Sequence, residues 1–85
     1  MNSKQKKTLN AIFETPTKAS IEWSDIESLL TALGATREQG NGSRVRFILK
    51  GVFATFHRPH PQKETDKGAV LSVRKFLTNA GVTPC

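Results

Sequence analysis

The stretch "SRVRFILKGVFATFH", residues 43–57, decides how this chain folds. Side chains along a β-strand alternate between two faces. Val45, Phe47 and Leu49 therefore share one face, and Arg44, Arg46 and Ile48 share the other. Lys50-Gly51 supplies a two-residue turn, and "VFATFH" begins a returning strand. Along it Val52, Ala54 and Phe56 lie opposite Phe53, Thr55 and His57. Both faces carry apolar residues, so periodicity leaves open which face the helices cover. Upstream, "ATREQ" (35–39) reads as a short polar edge strand, joined to the next by the turn "GNG" at 40–42. The expectation is a three-stranded antiparallel meander.

The flanks read as helices. Ser3 is a candidate cap for a first helix over residues 3–14, with Leu9, Ile12 and Phe13 at helical spacing. "ETPTKAS" (14–20) then reads as a linker. In "WSDIESLLTALGA" (23–35), Ser24 and Glu27 have capping-box spacing. Ile26, Leu29, Leu30 and Leu33 form one apolar stripe, and Gly34 supplies the stop. Trp23 reads as a core contact beside the cap. A last helix, "KGAVLSVRKFLTNAG" (67–81), has Thr65 or Asp66 as candidate cap and Val70, Val73, Phe76, Leu77 and Ala80 as its apolar face. Helix, helix, three strands and helix make an α+β two-layer sandwich with its helices on one sheet face, the layout of double-stranded-RNA-binding domains.

Eighty-five residues with 36% hydrophobic content support one domain and a single modest core. Thirteen Lys and Arg against seven Asp and Glu leave a net charge of +6, which suits a polyanion such as RNA as well as plain solubility. Cys85, the only cysteine, sits at the terminus, where it forms no internal disulfide and is poorly placed as a nucleophile. With no apolar run long enough to span a bilayer and no signal-like segment, the expected location is the cytoplasm.

Chemistry concentrates in "ATFHRPHPQKE" (54–64), which holds both histidines, His57 and His60. Two histidines without further ligands make a poor metal site, so neither metal nor cofactor is expected. Acid–base chemistry on RNA fits better. Cleavage through the 2′-hydroxyl needs a base, a proton for the leaving oxygen and cations against the phosphorane. Histidine, with an unperturbed pKa of about 6.5, serves either proton role. Arg44, Arg46, Arg58 and Lys63 are candidate phosphate contacts. The plain alternative is that Pro59 and Pro61 stiffen a loop that merely ends the sheet.

"GSRVRF", a short hairpin, "RPHPQKE" and "VRKFLTNAGV", in that order, resemble the HicA-type toxins of bacterial toxin–antitoxin pairs over about Ile26 to Val82. The resemblance implies a dsRBD-like core, at 24–82 here with residues 3–14 as an added helix. It also implies metal-independent endoribonuclease action on mRNA, arrest of translation, and neutralisation by a HicB-like antitoxin. In that family the catalytic histidine usually follows Gly-Ser; here Gly42-Ser43 is followed by Arg44. His60 matches the family's His-Pro histidine. Antiparallel pairing would bring His57 close to Arg44, making His57 the candidate base and His60 an acid or phosphate contact. The competing reading is a non-catalytic module that binds RNA or protein through the same cations.

Overall fold

The computed structural model describes residues 1–84; Cys85 lies outside them. The elements run α1 (Ser3–Ile12), β1 (Ile21–Glu22), α2 (Trp23–Ala32), β2 (Thr36–Gln39), β3 (Arg44–Leu49), β4 (Val52–His57), β5 (Glu64–Thr65) and α3 (Lys67–Asn79). β2, β3 and β4 form the expected antiparallel meander in that spatial order. Lys50 and Gly51 make its second turn, both at positive φ. Val45, Phe47, Leu49 and Phe56 point into the core against Ile26, Leu29, Leu30, Val73, Phe76 and Leu77 of α2 and α3. The helices thus cover one face of the sheet. Trp23 joins this core, its ring centroid 5.7 Å from that of Phe56.

A two-stranded ladder, β1 with β5, went unforeseen. It pairs Ile21 with Thr65 and Glu22 with Glu64, and the Trp23 amide donates to the Lys63 carbonyl at 3.0 Å. The segment before α2 and the loop after β4 are thereby tied side by side. Thr65 is fully buried there, and its hydroxyl has no hydrogen-bond partner.

The helix ends differ from the expectations in detail. α1 is capped by Asn2 rather than Ser3, in a reciprocal box with Gln5. α2 begins at Trp23 with Glu22 in the cap position and no side-chain cap, so the Ser24–Glu27 box does not form. Glu27 is engaged elsewhere: it accepts from the Trp23 indole and pairs with Arg37 of β2 at 3.1 Å. Asp66, not Thr65, caps α3 through the Ala69 amide at 2.8 Å.

α3 stops as its sequence suggests. The Gly81 amide donates to the Thr78 carbonyl at 3.0 Å, and the Val82 amide reaches back to Leu77 at 2.9 Å. That Schellman closure requires the positive φ of Gly81, which is what an Ala-Gly-Val ending provides. Arg74 of α3 donates to the carbonyls of Ile12 at 2.8 Å and Glu14 at 2.9 Å, closing the C-terminus of α1 and fixing the linker. No helix among the described residues is long and apolar enough to cross a membrane.

Candidate nucleic-acid interface

The face of the sheet away from the helices is uncovered. β3 contributes Arg44, Arg46 and Ile48 to it, and β4 contributes Phe53, Thr55 and His57. Cross-strand partners on this face are Arg44 with His57, Arg46 with Thr55, and Ile48 with Phe53.

The hydrogen-bond pattern sets how close these partners come. The Arg58 amide donates to the Ser43 carbonyl at 2.9 Å, so Ser43 and Arg58 are a hydrogen-bonded pair. The backbone of Arg44 is turned the other way: its amide donates to Asn41 at 3.2 Å and its carbonyl accepts from Gly40 at 3.0 Å. Arg44 and His57 are therefore a non-hydrogen-bonded pair, the closer type, with Cα atoms typically ~4.5 Å apart. Both side chains are exposed. They leave the same face of the sheet from neighbouring strand positions at the open end of the hairpin.

The β2–β3 turn holds this end in place by close approach. A Cβ on Gly40 would lie 3.0 Å from the Cβ of Arg44, so only glycine lets the turn backbone pack there without displacement. The Gln39 side-chain amide also donates to the Arg44 carbonyl at 3.3 Å. Beside it, Glu38, Gln39, Gly40, Asn41, Arg44 and Arg46 line a polar depression of about 350 Å³.

The candidate residues do not form one cluster. Arg46 shares the open face and the polar depression with Arg44 but is engaged there: it pairs with Glu38 at 3.1 Å and lies over the Phe53 ring at 5.2 Å. Arg58 and His60 line a separate cleft of about 470 Å³ with Trp23, Gly42, Ser43 and Pro59, to which His57 does not contribute. Lys63 lines a third depression, between the start of α2 and Pro59. Alternation explains the split. His57 and Arg58 are consecutive at the end of a strand, so their side chains leave opposite faces. Phe53, 65% exposed, was not among the candidate residues; its place in the same alternating set as His57 was the signal available.

What the arrangement offers is a small basic sandwich with an open sheet face, an Arg–His pair at one end and an adjoining cleft. A family model described as HicA toxin of bacterial toxin-antitoxin matches residues 23–82. The chain belongs to that family and is a toxin of a bacterial toxin–antitoxin system. Comparison with curated proteins and with solved structures gives no match. The matched span begins at Trp23, so α1 precedes it; α1 supplies Leu9 and Ile12 to the shared core.

Proposed function

We propose that this toxin is a metal-independent endoribonuclease acting on mRNA, with His57 as general base and Arg44 as the cation that stabilises the reacting phosphate. The cross-strand pairing of Arg44 with His57 supports this reading, because it puts an imidazole and a guanidinium at neighbouring strand positions on one exposed face. His57 takes the proton of a 2′-hydroxyl, and the freed oxygen attacks the adjacent phosphorus. The bond from phosphorus to the 5′-oxygen breaks, and that oxygen takes a proton from water, whose hydroxide recovers the proton held by His57. The products are a 2′,3′-cyclic phosphate and a 5′-hydroxyl. Arg44 meets the charge that builds on the non-bridging oxygens.

Arg58 and His60 are assigned to holding the neighbouring part of the strand in the cleft beside Trp23, and Lys63 to a further phosphate. Residues 24–82 form the toxin core in this reading, within a single domain of 85 residues whose first helix buttresses it. A HicB-like antitoxin neutralises the protein by covering the Arg44–His57 end, and the net charge of +6 favours an acidic partner. The setting is the cytoplasm, where mRNA is found.

One observation favours a second reading. Arg44 stands where the resemblance places the usual histidine, and a domain that binds RNA without cutting it would keep the cations and lose the base. End-labelled RNA incubated with the protein in EDTA separates the two. Cleavage that yields cyclic-phosphate ends and disappears in His57→Ala is the expected result. Intact RNA with salt-sensitive binding would establish the binding module instead.

A further inference from the structure

The two edges of the sheet are unlike. β2, on one side, has four polar residues, all exposed, and its Arg37 and Glu38 are held in ion pairs. Charge and shortness of this kind discourage another strand from adding on. β4, on the other side, has six residues, Val-Phe-Ala-Thr-Phe-His, with no Lys, Arg, Asp or Glu among them.

Its backbone is available as well. Ser43 and Arg58 are a hydrogen-bonded pair, so Val52, Ala54 and Phe56 turn their amides and carbonyls toward β3. Phe53, Thr55 and His57 turn theirs outward, where β4 has no neighbouring strand. A groove of about 260 Å³ runs between this edge and α3, lined by Phe53, Thr55, Ser72, Lys75, Phe76 and Asn79. Apart from Met1, the exposed large apolar side chains among the described residues are Phe53 and Leu71.

We propose that a second copy of this chain adds to the β4 edge, so that two meanders join antiparallel into one continuous sheet. The strand matches itself. With the two-fold axis at Thr55, its hydroxyl meets that of its own copy, a favourable cross-strand pair. Phe53 then lies opposite His57 of the second copy, on the open face, and no charged side chain opposes another along the strand. The six residues of β4 offer no charge of their own to an acidic strand or an RNA, and Lys75 across the groove is a cation beside them. Each copy thereby places an aromatic wall against the other's Arg44–His57 pair. That consequence for the site rests on the role proposed for His57, whereas the pairing itself does not.

The short interface and the net charge of +6 on each copy make this a weak, concentration-dependent dimer, with Lys75 of each copy near the junction. Salt screens that repulsion, so self-association strengthens as ionic strength rises, opposite to RNA binding. Sedimentation equilibrium of the RNA-free protein, from low micromolar to submillimolar concentration and at two salt levels, reads this directly. The expected result is a weight-average mass climbing from one chain toward two, more steeply at high salt. Thr55→Pro removes an outward amide that β3 does not use, and Phe53→Lys charges the edge; each is expected to stay monomeric with an unchanged circular dichroism spectrum. A single-chain mass throughout the range overturns the proposal. So does association that persists in whichever of the two variants remains folded.

Discussion

The two faces of the β3–β4 hairpin come from one alternating sequence and have opposite fates. On one face Val45, Phe47, Leu49 and Phe56 are buried against α2 and α3. On the other Arg44, Arg46, Thr55 and His57 remain exposed with no helix over them. Burying the first set necessarily aligns the second, since a strand cannot turn one residue inward without turning its neighbours outward. Core packing therefore fixes the register that sets Arg44 beside His57. Stability and the candidate site are separable in this molecule: they use alternate residues of the same strands.

Substitutions on the covered face should break stability and leave the open face's chemistry to fail only with the fold. Phe47→Ala empties a fully buried position between the sheet and the helices. A loss of about 3–5 kcal/mol in urea unfolding is expected, large enough to unfold much of an 85-residue chain. Arg74→Ala releases the carbonyls of Ile12 and Glu14 at the end of α1. Charge-assisted hydrogen bonds of this kind set its expected cost at about 1.5–3 kcal/mol by the same measurement.

On the open face the expectation reverses. Arg44→Ala should leave the unfolding midpoint within about 0.5 kcal/mol of the parent, as exposed substitutions do. Its effect should show in RNA affinity, with the slope of log K against log salt reduced by roughly one phosphate contact across different RNA sequences. A stability loss comparable to that of Phe47→Ala would mean that the two faces are not separable. In the two-stranded ladder no loss is expected at all. Thr65→Val replaces a buried hydroxyl that has no partner, so the unfolding midpoint should stay level or rise by up to about 1 kcal/mol.

Much of this was legible because it is local. The Lys50-Gly51 turn fixes the hairpin register, and from that register alone Arg44 falls opposite His57. The Gly34 and Gly81 stops and the apolar stripes of α2 and α3 were equally plain. The β1–β5 ladder was not, since two residues at each end of a 42-residue separation carry no periodicity. The capping box failed for a related reason. Glu27 has the right spacing from Ser24, but the Trp23 indole and Arg37 compete for its carboxylate, and Arg37 is brought there by the sheet. Alternation separates Arg58 from His57, but that His60 returns to the same cleft as Arg58 is set by the course of the loop, which a run of loop residues does not disclose.

The central claim is that chemistry belongs to the open-face pair and not to the cleft. Single-turnover cleavage of one labelled RNA by His57→Ala and His60→Ala, side by side in EDTA and at saturating protein, tests it most directly. The expected result is loss of the chemical step in His57→Ala, by a factor of about 10²–10⁴ as for other general bases. His60→Ala should instead retain that step and need more protein to saturate. Cleavage that survives in His57→Ala and vanishes in His60→Ala would contradict the account and move the active centre to the cleft beside Trp23.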